Sequence, residues 1–420
     1  MKPYALIIFT LFSTLTQAEL QSDINLIEDN MIEWRRHLHQ YPELSNREFK
    51  TAAYVEQHLK SLGIEVSTGI AFTGVVGILK GDKPGPVLAL RADMDALPVN
   101  EQVDLSFASK VTAEYRGETT GVMHACGHDT HVAILMAVAE VFAKNKSQLA
   151  GTLMFIFQPA EEGAPDNEEG GAELMLAEGI FNHTKPEAVF GLHVTSSLNT
   201  GQVGFRTGPY MAAVDDFELK VIGKQTHGSR PWGGIDPIVT SAQIINSVQT
   251  IVSRKTDVTK APAVVSFGAI KGGIRNNIIP DDVTMVGTIR NFDMGIRDDI
   301  HNQLHHIISH VAQANEASVE FKINEGYPVT INDPELGNKM LPSLHQVFGK
   351  NHVIDPGLIT GAEDFSFFAN EIPGLYFFMG VTPKDRDAKT AASNHSPQFY
   401  VDEPALLNGV RAFVQLVQDY

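Results

Sequence analysis

What limits the fold of this chain most is the order of its secondary-structure patterns. Between Asp216 and Ile323 the sequence reads strand (Asp216 to Ile222), long helix (Asp236 to Ser253), two strands (Ala263 to Ile270, Val283 to Ile289), long helix (Ile296 to Ala312) and strand (Ser318 to Ile323). That βαββαβ order makes a split-βαβ sandwich, a unit of about one hundred residues that closes on itself. Ahead of it, helices over Asp23 to His39 and Glu48 to Leu62 lead to strands at Ile64 to Ser67, Val75 to Leu79 and Val87 to Leu90. The alternation goes on with helix (Thr130 to Ala143), strand (Thr152 to Phe157), helix (Ala172 to Glu178) and strand (Ala188 to Leu192), and Gly81 to Pro86 reads as a turn. From Tyr327 it resumes, ending in a helix near Ala405 to Asp419. A pattern that is interrupted and then resumed predicts an inserted domain. The expected fold is therefore a two-domain α/β protein: a mixed or mostly parallel sheet covered by helices, plus a βαββαβ, ferredoxin-like insertion. The expected boundaries are 19–210 and 325–420 for the two parts of the main domain and 211–324 for the insertion.

Residues 1–18 read differently. Lys2 gives a basic start, Tyr4 to Phe12 is mostly apolar, and Thr16-Gln17-Ala18 places small residues at a cleavage position. This predicts an export signal cut after Ala18 and a secreted or periplasmic mature chain. The apolar stretch is shorter than the ~20 residues of a bilayer span, so no membrane span is expected after its removal. Lys plus Arg number 32 against 50 Asp plus Glu, a net charge of −18. That charge lacks the basic footprint of a DNA- or RNA-binding protein and points to small-molecule partners. The single cysteine, Cys126, excludes an intramolecular disulfide. Outside the cytosol such a lone thiol is open to oxidation unless something holds it.

The densest chemistry lies in His124-Ala125-Cys126-Gly127-His128-Asp129-Thr130-His131, just before a predicted helix. Cys-x-His spacing lets both side chains reach one site if Gly127 allows a sharp turn, and thiolate with imidazole suits borderline divalent metals. A buried cysteine beside ordinary helix-start residues would carry the same letters. Gln158-Pro159-Ala160-Glu161-Glu162-Gly163 follows a predicted strand. Its adjacent carboxylates repel unless a cation or proton separates them, or unless the segment is simply an exposed acidic loop. Gly191-Leu192-His193 closes another predicted strand, Asn394-His395-Ser396-Pro397 sits in a turn, and Arg91-Ala92-Asp93-Met94-Asp95 follows a third strand. In an α/β sheet such strand ends open on one edge, where these groups can converge.

Taken together, these motifs resemble those of the M20 family of metallopeptidases and amidohydrolases, in particular the branch of hippurate hydrolases, N-acyl-L-amino-acid amidohydrolases and auxin-conjugate hydrolases. The resemblance spans essentially the whole mature chain. It runs from Arg35-Arg36-His37-Leu38-His39 through Arg91 to Pro98, His124 to His131, Gln158 to Gly163 and Gly191 to Val194. It continues through Gly223 to Pro231, Gly272 to Pro280, Gly361 to Phe365 and Asn394 to Pro397. It implies two divalent metal ions, Zn, Mn, Co or Ni, on Cys126, His128, Glu162, His193 and His395. Glu161 is then the catalytic carboxylate that moves a proton from water to the leaving amine, and Asp95 the carboxylate that orients a ligand imidazole. The wider family has a His-x-Asp ligand motif where this chain has Asp93-Met94-Asp95, which leaves Asp93 without an assigned role.

For the insertion the resemblance implies a lid and dimerisation domain and a homodimer formed through it. His227 is the histidine that approaches the oxyanion, often from the partner subunit, and Asn277 and Arg290 are substrate contacts. The implied activity is hydrolysis of N-acyl amino acids. A carboxypeptidase or dipeptidase, an exported metal- or ligand-binding protein without turnover, and a cysteine hydrolase built on Cys126 and His128 are the alternatives. His37 and His39 read as structural, and His305, His306 and His310 as a solvated or dimer-facing helix surface.

Overall fold

The computed structural model describes residues 20–420, so the export signal expected at residues 1–18 lies outside the described residues. These form two compact units. One holds the chain through Gly208 with Asn332–Pro356 and Phe367–Tyr420; the other holds Pro209–Ile331 with Gly357–Ser366. The second crossing falls later than the expected 324/325. The segment Gly357–Ser366 joins the second unit because the Ala212 N–H donates to the Ile359 and Gly361 carbonyls, both at 3.0 Å.

The first unit is built on strands β1 (Glu65–Ile70), β2 (Gly74–Lys80), β3 (Lys83–Asp93), β4 (Ala150–Gln158), β5 (Ala188–Asn199), β6 (Val203–Gly204), β7 (Val353–Ile354) and β8 (Gly374–Thr382). They form one mixed sheet in the order β1-β2-β4-β3-β5-β8-β6-β7. Its centre, β4-β3-β5-β8, is parallel. Those strands read as near-continuous apolar runs because both faces are covered. Helices α1 (Glu28–Gln40), α2 (Phe49–Ser61), α3 (His128–Lys144), α4 (Pro334–Phe348) and α5 (Leu406–Asp419) supply the cover. α3 is buried on every side from His128 to Ala139, the mark of a helix enclosed by protein. It packs between α1, α5 and the sheet.

Two expectations are corrected here. The run Lys83 to Pro86, expected in a turn, opens β3; Pro84 and Pro86 bring no N–H, and the ladder with β4 slips register between Lys83 and Val87. His193 does not close its strand, because β5 continues to Asn199 and places His193 opposite Phe378 of β8. Its pairing with β3 stops at Gly191, so His193 still stands where β3 and β4 end. A hairpin that no sequence pattern announces pairs Thr112–Tyr115 with Glu118–Gly121. Its turn residues Arg116 (φ 51°) and Gly117 (φ 82°) both have positive φ, which two-residue hairpin turns favour.

The second unit has the expected βαββαβ order. Its antiparallel sheet runs Ala263–Gly272, Asp282–Asn291, Ala213–Ile222, Ser318–Glu325. The helices Pro237–Thr250 and Met294–Ala314 are each started by an aspartate: Asp236 accepts the N–H groups of Ile238 and Val239, and Asp293 that of Ile296. Ile296, Ile300, Leu304 and Ile308, one helical face, share a core with alternate strand residues Phe217, Leu219 and Val221.

Candidate metal centre

The site of the first unit lies at the carboxyl ends of its parallel strands, the edge where α/β sheets bind ligands. Asp93 ends β3, Gln158 ends β4 directly beside it, and His193 follows on β5. Cys126 and His128 arrive on the turn into α3. Gly127 there has φ 98°, and a Cβ would stand 2.3 Å from Val194 Cγ2, so only glycine lets thiol and imidazole face the strands.

The Cys126 sulfur is the hub. It lies 3.3 Å from His193 Nε2 and 3.2 Å from His395 Nε2. His395 Nε2 is 3.2 Å from Glu162 Oε1, and His128 Nε2 is 3.9 Å from that oxygen. Two ligand sets therefore overlap at the sulfur: Cys126, His128 and His193, and Cys126, Glu162 and His395. All five residues expected to hold metal are brought together.

Hydrogen bonds fix which ring atoms are offered. His193 donates Nδ1–H to the Val194 carbonyl at 2.7 Å, leaving the Nε2 lone pair toward the sulfur. His128 Nδ1 lies 3.2 Å from Asp95 Oδ1, and its buried Nε2 has no hydrogen-bond partner. A buried ring nitrogen without a partner is costly unless something else fills its place, and a divalent cation does so. Charge argues the same way. Burial, reinforced by the carboxylates of Glu162, Glu161 and Asp93, pushes the Cys126 thiol up. Against burial, Asp93, Asp95 and Glu162 raise His128 to about 10. So many acids around one sulfur are stabilised by cations, and thiolate, imidazole and carboxylate together suit borderline divalent ions. Burial also pulls His193 well down, which keeps it neutral and able to ligate.

Asp93, which the sequence left without a role, is taken up twice. Its Oδ1 accepts His131 Nδ1–H at 2.5 Å and its Oδ2 accepts Arg91 Nη1–H at 2.6 Å. His131 Nε2 in turn accepts the Val194 N–H at 2.9 Å, so this histidine braces β5 and offers no lone pair. Asp95 is equally engaged. Its Oδ1 accepts the Glu161 N–H at 3.1 Å and its Oδ2 the Glu162 N–H at 3.0 Å and the Ser45 hydroxyl at 2.7 Å. One carboxylate thus orients the His128 ring and both glutamates.

Two further residues, Glu48 and Asn394, had no role assigned from the sequence. Ala160, just before the glutamates, has φ 53°, a strained value for a residue with a Cβ. Its N–H donates to Glu48 Oε1 at 2.9 Å, and Thr73 donates to Glu48 Oε2 at 2.6 Å. Burial and the nearby Asp95 raise Glu48 to about 8, so it is mostly neutral at pH 7. Replacing Glu48 by Leu, which orphans the Ala160 N–H, is expected to cost about 1–3 kcal/mol. Turnover should also fall roughly tenfold, through the altered aim of the next two side chains. Glu48→Gln keeps an acceptor and should stay near wild type. Thermal unfolding with kcat decides; identical behaviour of the two variants would remove the bracing role. The second residue is Asn394, whose Nδ2 donates to the carbonyls of Cys126 and Val194, both at 3.0 Å, beside His395 at φ 70°. Only the Asn before His395 hinted at such a clamp.

In the second unit, His227 and Asn277 are neighbours. Thr226–His227 pairs with Ile278–Ile279, and the Gly228 N–H donates to the Asn277 carbonyl at 2.8 Å. His227 Nδ1 accepts the Ser229 N–H at 3.1 Å. Arg290 is not with them. The sheet register pairs Ile222 with Asp282 at the His227 end and Val214 with Arg290 at the other. At ~3.3 Å per residue the stretch from Asp282 to Arg290 is roughly 26 Å.

Comparison with known proteins agrees with this chemistry. A 42% identical relative over 400 residues, covering 95% of this chain and 97% of its own, is thermostable carboxypeptidase 1 of Saccharolobus solfataricus. The N-acyl-L-amino acid amidohydrolase of Geobacillus stearothermophilus is 39% identical over 322 residues, 76% of this chain and 83% of its own. Among solved structures, a dinuclear metal binding peptidase of the M20 family from Bacillus subtilis superposes with a TM-score of 0.77 at 33% identity, over 94% of this chain and 98% of that one. The model of peptidase family M20/M25/M40 matches residues 89–419. The chain belongs to that family and is a metal-dependent hydrolase.

Proposed function

We propose that the protein hydrolyses the amide bond of N-acyl amino acids, with Glu161 as the proton carrier. The observation that carries the reading is the place of Glu161. It is buried beside the ligand sets, with Oε2 3.8 Å from His128 Nε2, and its backbone is pinned by Asp95. Two divalent ions, Zn, Mn, Co or Ni, held by Cys126, His128, Glu162, His193 and His395 would supply a Lewis acid that acidifies water and polarises the amide carbonyl. Glu161 takes a proton from water and delivers it to the leaving nitrogen. Asp95 keeps the His128 ring and Glu161 in register for that transfer.

His227 stabilises the oxyanion and Arg290 holds the amino-acid carboxylate, with Asn277 beside His227. The distance between Arg290 and the His227–Asn277 pair supports a homodimer in which the partner subunit's His227 completes each site. The Geobacillus relative bears the name of this activity. A peptidase acting on C-terminal amides is the second reading, favoured by the Saccharolobus carboxypeptidase.

The test is hydrolysis of a panel of N-acyl amino acids and dipeptides by protein stripped of metal and reloaded with each ion in turn. Dead stripped protein that regains cleavage of acyl amino acids supports the proposal, and preferential cleavage of dipeptides selects the second reading. Full activity after stripping would leave a cysteine nucleophile as the mechanism.

A further inference from the structure

The helix Met294–Ala314 of the second unit carries His305, His306 and His310, which the sequence left together as one surface cluster. The fold separates them. Ile296, Ile300, Leu304 and Ile308 turn one face of the helix into the core. At about 3.6 residues per turn, His306 and His310 fall on the opposite face, one turn apart, and both are exposed. His305 leans elsewhere, its ring against Phe321 at 4.8 Å between centroids. The rings of His306 and His310 instead meet each other, 4.2 Å between centroids and tilted by 38°.

We infer that His306 and His310 form a two-imidazole metal site on the second unit, sharing no residue with the metal centre, and that it takes a borderline divalent ion, Cu(II) or Ni(II) ahead of Zn(II). The nitrogens are set for such a ligand. His310 donates Nδ1–H to the His306 carbonyl at 2.7 Å; a carbonyl only accepts, so the lone pair of this ring is on Nε2. A backbone carbonyl behind the ring is the support that metal-binding imidazoles commonly have. The His306 ring makes no hydrogen bond among the described residues, so neither of its nitrogens is taken by the chain. From Asp298 to Ala314 the helix has no Lys or Arg to repel a cation. One imidazole on a surface holds an ion weakly. Once the first nitrogen has bound, the second, one turn away on the same rigid helix, binds as an intramolecular ligand at high effective concentration. Imidazole nitrogen completed by water oxygen suits the tetragonal geometry of Cu(II) and Ni(II), whereas Mg(II) and Ca(II) seek oxygen ligands. Exposure makes the ion exchangeable, in contrast to one held by the buried Cys126. The inference holds whichever amide the enzyme cleaves.

The test titrates Ni(II) by calorimetry into the zinc-loaded, untagged protein and into its His305→Asn, His306→Asn and His310→Asn variants, with zinc content measured by mass spectrometry before and after. All three positions are exposed, so the variants should fold and keep wild-type amide hydrolysis. Wild type is expected to take up a further Ni(II) ion per chain without releasing zinc. Affinity should fall roughly tenfold or more in His306→Asn and in His310→Asn, and stay at the wild-type value in His305→Asn. Equal affinity in all four proteins, a loss in only one of the paired positions, or the same loss in His305→Asn would overturn the site. Zinc released in step with nickel uptake would place the nickel in the metal centre and overturn it too.

Discussion

Replacing Glu161 by Gln is expected to lower turnover roughly a thousandfold on any amide the enzyme accepts, with the bound metal unchanged. Glutamine keeps the size of the side chain and the N–H that Asp95 accepts at 3.1 Å, so the fold of the turn survives. What it loses is a carboxylate able to receive a proton and return it, a function worth roughly 10²–10⁴ in rate. Geometry offers one competing role. Glu161 lies close enough to His128 and Glu162 to join a ligand set. Metal content separates the two: a proton carrier leaves the number of bound ions as in wild type, while a ligand takes one away. With the proposed homodimer, mixing Glu161→Gln subunits with His227→Ala subunits should then restore part of the activity, because such a mixed dimer would hold one site with both groups intact. Recovery no greater than the sum of the two variants alone would refute the shared site.

Arg35→Met is expected to destabilise the first unit by about 3–5 kcal/mol, the usual result of removing one partner of a buried ion pair. Arg35 on α1 is 2% exposed and donates Nε–H to Asp129 Oδ2 at 2.8 Å. The same oxygen lies 2.9 Å from His39 Nδ1, and His39 Nε2 lies 3.0 Å from Glu101. Although burial works against it, Arg35 and then His39 hold the Asp129 carboxyl well below the usual carboxylate range. A carboxyl lowered in the folded state stabilises above its unfolded value and loses that contribution only as pH falls through the folded one. At pH 7 the whole effect should therefore be visible, and it should shrink only in strong acid.

Asp129 follows His128, a proposed ligand, at the start of α3, so loosening it should also weaken metal retention. Denaturant unfolding at pH 7 measures the loss. The double variant Arg35→Met, Asp129→Leu should recover part of it, since no buried carboxylate is then left without its arginine. A loss below about 1 kcal/mol in the single variant would mean that the pair contributes little.

The sequence by itself determined the βαββαβ insertion and the helix–strand alternation of the first unit, and its M20-like motifs pointed to the residues proposed to hold metal. These follow from local signals: periods of 3.6 and 2 along helix and strand, and short motifs whose letters carry their chemistry. Helix Met294–Ala314 was legible because Ile296, Ile300, Leu304 and Ile308 repeat on one face. Only the tertiary structure decided how the motifs work. The Pro-rich start of β3 is a strand because β4 lies beside it, and the Tyr115 hairpin has no apolar alternation to announce it. Which ring nitrogens His128 and His193 offer is set by Asp95 and by the Val194 carbonyl. The aim of the two glutamates is set by Asp95 and also by Glu48, whose oxygen meets the Ala160 N–H across 112 residues of chain. Asn394 reaches the Cys126 carbonyl across 268. These last two contacts each join a side chain to a backbone atom, which carries no residue identity, so they come into being only when the folded core holds both ends in place.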